Sequence, residues 1–119
     1  MEQDNERMLL EAKEIESALK KYIESFNNQY ADEKIDSDDL FINNCVNKPG
    51  AIGCYNKNGK WYIYYTDDRF NVLVNGPFSK GGIITALATM LFIPSDINDY
   101  RFTDEERDIF LQGFRPIKR

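Results

Sequence analysis

Asn58-Gly59, set between two runs of strand-forming residues, constrains this chain more than any other feature. Ile52-Gly53-Cys54-Tyr55-Asn56 precedes it and Trp61-Tyr62-Ile63-Tyr64-Tyr65 follows, with Lys57 and Lys60 flanking the pair. Asn-Gly best fills a two-residue type I′ turn, because both central positions need positive φ. Such a turn sets Cys54 opposite Ile63, Tyr55 opposite Tyr62 and Ile52 opposite Tyr65. Asp67-Asp68-Arg69-Phe70 then turns the chain into Asn71-Val72-Leu73-Val74. A two- or four-residue loop there places Tyr65 against Val72 and Ile63 against Val74. Alternation assigns Ile52, Cys54, Trp61, Ile63, Tyr65, Val72 and Val74 to a core face, with Trp61 buried. Tyr55, Tyr62, Tyr64 and Leu73 fall on the other face. Tyrosines there either present a recognition surface or form cross-strand pairs under a helix.

A hairpin needs a layer to pack on. Residues 1 to 30 contain no Gly or Pro, and Met8, Ala12, Ile15, Leu19, Tyr22 and Phe26 recur at 4-3-4-3-4 spacing. That pattern predicts a helix from about residue 4 to 28, roughly 37 Å long, whose first turns overhang a small core. The acidic loop from Asp32 to Asp39 lacks the glycine and the twelfth-position acid of a calcium loop. A short strand from Leu40 to Val46 and a turn at Asn47-Lys48-Pro49-Gly50 follow. Ser79 caps a second helix running to about Phe92, which buries Ile83, Ile84, Leu87, Met90 and Leu91 and stops at Pro94. Lys80-Gly81-Gly82 matches no phosphate-loop pattern and is expected to be a flexible helix start. Thr103-Asp104-Glu105-Glu106 is a capping box opening a short helix that buries Ile109, Phe110 and Phe114 and ends at Gly113. The tail from Arg115 to Arg119 is expected to be loose. The order predicts one α+β domain over 1–119: long N-terminal helix, antiparallel three- to four-stranded meander, two C-terminal helices.

Composition narrows the chemistry. The 119 residues include no histidine, which removes the commonest general base and metal ligand. Cys45 and Cys54 cannot form a four-thiolate zinc site. No nucleophile elbow or dinucleotide fingerprint occurs, so no catalytic residue, cofactor or metal is expected, and the chain is not expected to be an enzyme. The polar start, Met1 to Glu6, has no apolar core of a secretory signal, and the longest apolar-leaning run, Ile83 to Ile93, is too short to span a membrane. A cytoplasmic protein with reduced thiols is the expectation. The net charge of −5 disfavours nucleic acid and anionic membrane as partners. Residues 1 to 40 hold twelve acids against five bases, and the remainder is slightly basic. A concentrated acidic surface suits a basic partner.

The run from Gly53-Cys54-Tyr55-Asn56-Lys57-Asn58-Gly59-Lys60-Trp61 through Asp67-Asp68-Arg69, followed by Gly76-Pro77-Phe78 and an alanine-bearing helix, resembles small bacterial immunity proteins. These are antidotes to polymorphic toxins, including contact-dependent growth-inhibition toxins. The likeness spans Gly53 to Leu91; Phe70 stands where the pattern has glycine, and Gly81-Gly82 where it has acids. It implies a cytoplasmic protein that binds and blocks one toxin domain without catalysis; the oligomeric state is left open, with a monomer favoured. Asp36, Asp38 and Asp39 are the acids expected to steer a toxin with a basic substrate channel, such as a nuclease. Tyr62 and Tyr64 are the side chains expected to hold it. A regulatory or adaptor domain that binds another protein is the alternative. A nucleic-acid mimic or binder comes third, since helix, three strands and helix also describe a double-stranded-RNA-binding domain, although only Lys80 lies near the second helix start.

Overall fold

The computed structural model describes residues 2–29, 40–91 and 100–117. Helix α1 spans Glu2–Gln29. Ile15, Leu19, Tyr22 and Ile23 are buried along its stripe, and Met8 and Ala12 pack at the margin. Leu9 and Leu10 are exposed on the side of the helix away from the core. Among the described residues five strands follow in spatial order: β1 (Leu40–Ile42), β2 (Ile52–Lys57), β3 (Lys60–Thr66), β4 (Val72–Phe78) and β5 (Arg115–Pro116). Helices α2 (Lys80–Met90) and α3 (Asp104–Leu111) complete the α+β domain.

The β2–β3 hairpin has the expected register, with Cys54 facing Ile63, Tyr55 facing Tyr62 and Ile52 facing Tyr65. Asn58 and Gly59 take φ of 55° and 83°, the left-handed pair a type I′ turn requires. Trp61 and Ile63 are fully buried against the helices, in one core with Cys54, Phe78 and Leu87.

Three expectations are corrected. First, β1 is shorter than Leu40 to Val46 and runs parallel to β2, so the sheet is mixed rather than a meander. Asn43 adopts φ 58°, which ends the strand, and residues 43–51 then cross the face of the sheet opposite the helices. There the Val46 N–H donates to Tyr64 Oη at 3.0 Å, and Thr66 Oγ1 donates to the Val46 carbonyl.

Second, Tyr65 faces Leu73 and Tyr64 faces Val74, one residue away from the expected pairing. The connection is five residues, 67–71. Asp67 holds it by accepting bonds from the Arg69 and Asn71 N–H groups at 2.9 Å. An odd loop length flips the β4 side chains as far as the register slip between Trp61 and Ile63, beyond which Phe78 packs in the helix-side core. Val72 and Val74 therefore join Tyr64, Ala51, Phe41, Tyr55 and Ile117 in a second small core under the crossover. Third, Arg115–Pro116 is not loose but pairs with Leu73 and Val74.

Gly53 lies where the crossover is tightest. A Cβ there would collide with the Phe41 carbonyl oxygen and press on Tyr64 Oη. Gly53→Ala is expected to cost about 1–3 kcal/mol by forcing β1 and the crossover outward. Urea unfolding measures it, and a change below about 0.5 kcal/mol would refute this account of the parallel edge.

The two later helices are joined through one carboxylate. Glu106, buried, completes the expected capping box with Thr103. Its Oε2 also accepts from Ser79 N at 2.8 Å and Ser79 Oγ at 2.9 Å, and Ser79 Oγ in turn caps α2 by accepting from the Gly82 N–H. A Cβ at Gly82 would strike that carboxylate, so this glycine makes room for Glu106 rather than loosening the helix start.

Candidate functional site

The outer sheet face is closed at one end and open at the other. Residues 43–51 seal the end that holds Tyr64, which is fully buried. Burial pushes its phenol up to about 12, so it stays protonated as the acceptor for Val46. This corrects the expectation that Tyr64 presents a ring for a partner: the Gly53 notch and the crossover enclose it. Toward the hairpin turn the cover stops. Tyr55 and Tyr62, cross-strand neighbours, stack there with ring centroids 5.5 Å apart and planes 13° from parallel. Both are half-buried, and neither hydroxyl has a hydrogen-bond partner among the described residues. Burial, then the nearby Cys45 and Tyr62, raise the Tyr55 phenol. Two neutral hydroxyls on an apolar base can donate and accept, as amphipathic recognition side chains do.

On its far side Tyr62 meets β4 where the strands slip register between Trp61 and Ile63. Gly76 lies against the ring there, and any Cβ would press into it. A hollow of about 120 Å³ opens between Tyr62, Asn75, Gly76, Gly113 and Arg115. Asn75 is buried and donates both amide hydrogens, to the carbonyls of Ile109 and Gly113 at 2.9 and 2.7 Å. Its Oδ1 is enclosed and has no partner. Tyr55, Asn75 and Arg115 were not among the expected site residues. The Tyr55–Tyr62 pairing was available from the turn register, whereas the slip that brings Asn75 and Arg115 to Tyr62 leaves no mark in the sequence.

Asp36, Asp38 and Asp39 lie outside the described residues, as does the acidic loop compared with a calcium site. Among the described residues no cluster of acids and cysteines could hold a metal ion. Nor is any helix there long and apolar enough to cross a membrane. Cys54 is buried, with its thiol pushed up to about 12 by burial, while Cys45 is exposed; neither is in a disulfide. A second, polar hollow of about 460 Å³ separates the start of α1 from the hairpin turn. Glu11 organises it, accepting from Trp61 Nε1 at 2.9 Å and pairing with Arg7 at 3.5 Å.

The geometry defines a class, an α+β domain built on a mixed five-stranded sheet whose outer face is half covered. Compared with known protein families, curated proteins and solved structures, the chain gives no match.

Proposed function

We propose that this chain is a non-catalytic, immunity-type protein that binds and neutralises a cognate toxin domain. The observation that carries the reading is the Tyr55–Tyr62 stack, half-exposed and with unpartnered hydroxyls, held on a paired hairpin beside a small polar hollow. Aromatic side chains that are large, amphipathic and already ordered lose little entropy on binding and concentrate interface energy. One detail agrees with the resemblance to immunity proteins. Phe70, at the position their pattern gives to glycine, has φ 65°, a backbone conformation glycine adopts without strain. The role of Asp36, Asp38 and Asp39 as steering acids rests on charge alone and is a separate part of the proposal.

Co-expression with the toxin domain that this reading expects to be encoded beside its gene tests it. Wild type should protect, and a folded Tyr55→Ala/Tyr62→Ala variant should bind about 30-fold more weakly, chiefly through faster dissociation. An Asp36/Asp38/Asp39→Ala variant should associate more slowly and with less salt dependence. No protection by wild type sinks the function; full protection with unchanged kinetics in the tyrosine variant sinks the site.

A further inference from the structure

We infer that the open end of the outer sheet face docks an acidic segment of a protein partner, with carboxylates set among Lys57, Lys60 and Arg115. The inference rests on the proposed protein-binding role and names the chemistry of the surface that would fit this face. Strand pairing sets Lys57 opposite Lys60, two residues from Tyr55 and Tyr62, so both lysines share the tyrosine face. Arg115 pairs with Val74, which packs with Tyr64 on that face, and it lines the hollow beside Tyr62.

All three cations are exposed, and none makes an ion pair among the described residues. Glu105 is an acid bordering the Lys60 end, and it leaves Lys60 unpaired. Like charges directly across a strand pair repel, so Lys57 opposite Lys60 is unfavourable for folding alone. A carboxylate between them would relieve that repulsion. The Tyr55 and Tyr62 hydroxyls supply unpartnered polar atoms along the same face.

The ring arrangement distinguishes a peptide from a nucleic acid. Tyr55 and Tyr62 stack on each other, and Tyr62 also lies against Gly76, so both faces of Tyr62 and one face of Tyr55 are occupied within the chain. Single-stranded nucleic acid needs open aromatic faces on which bases can stack. Hydroxyl edges ringed by cations suit carboxylates and peptide amides instead.

The test uses the isolated protein and three probes: a short capped Glu/Gly peptide, its Lys/Gly counterpart, and a thymidine oligonucleotide. Amide chemical shifts are followed during each titration. The acidic peptide should give saturable shifts confined to residues 55–62, 75–76 and 115. A Lys57→Gln/Lys60→Gln/Arg115→Gln variant should weaken that binding about tenfold. Shifts elsewhere, no shifts, equal binding of the basic peptide, or tighter binding of the oligonucleotide at this face would each overturn the inference. Toxin neutralisation without acidic-peptide binding removes this inference and leaves the function standing. Peptide binding without neutralisation does the reverse.

Discussion

Replacing Trp61 with alanine is expected to cost about 3–5 kcal/mol, the largest single loss available in this chain. Trp61 is fully buried where α1, α2 and the sheet meet, packed in one core with Ile15, Leu19, Ile63 and Leu87. Its indole N–H donates to Glu11 Oε1 at 2.9 Å, so the variant leaves a cavity and strips one bond from a carboxylate that keeps its pairing with Arg7. A domain of this size is stable by roughly 5–15 kcal/mol, and the variant forfeits a large share of that. Urea unfolding should show a lower midpoint with an unchanged slope. Trp61→Phe, which keeps most of the volume and drops the N–H, should lose less than half as much. Trp61 is also the single tryptophan, so wild-type emission should be blue-shifted and poorly quenched. A loss below about 1 kcal/mol, or red-shifted and freely quenched emission, would refute the burial.

Glu106→Ala should rank second, at about 2–4 kcal/mol, because one carboxylate serves two helix starts. Removing it strips a bond from the Thr103 N–H and leaves Ser79 N and Oγ without their acceptor. The same residue gives the domain an acid-sensitive joint. Burial pushes its carboxyl up, but the bonds from Thr103 and Ser79 outweigh that and hold it below the ordinary carboxylate value. A depressed folded-state value means the contribution is fully present above the unfolded value of about 4.3. It is lost as pH falls through the folded value. Glu14, paired with Lys80 at 2.6 Å, and Asp67 are lowered too, so wild-type acid unfolding reports all three. The difference between wild type and Glu106→Ala isolates one. That difference should be constant above pH 5 and shrink below it; a gap independent of pH down to 2 would show that the carboxylate is not ionised in the joint.

Local signals were legible wherever a few adjacent residues decide the outcome. The Asn58-Gly59 turn, the apolar stripe of α1, the Ser79 cap and the Thr103–Glu106 box each depend on contacts within about four positions, and each formed as the sequence implies. The hairpin register followed, and with it the Tyr55–Tyr62 pair and the burial of Trp61. Parity was the first limit. Asp67 could cap a four- or five-residue connection equally well, and only packing of Val72 and Val74 under the crossover selected five. Long-range pairing was the second. No pattern in Leu40–Ile42 says whether its partner runs parallel, and Gly53 acquires its meaning only beside the Phe41 carbonyl. The same holds for the site. Sequence placed tyrosines off the main core, but tertiary structure buried Tyr64 beneath Val46, left Tyr55 and Tyr62 open, and brought Asn75 and Arg115 beside them. Propensity and turn chemistry act over a few residues, whereas exposure is decided by whatever distant segment comes to lie on top.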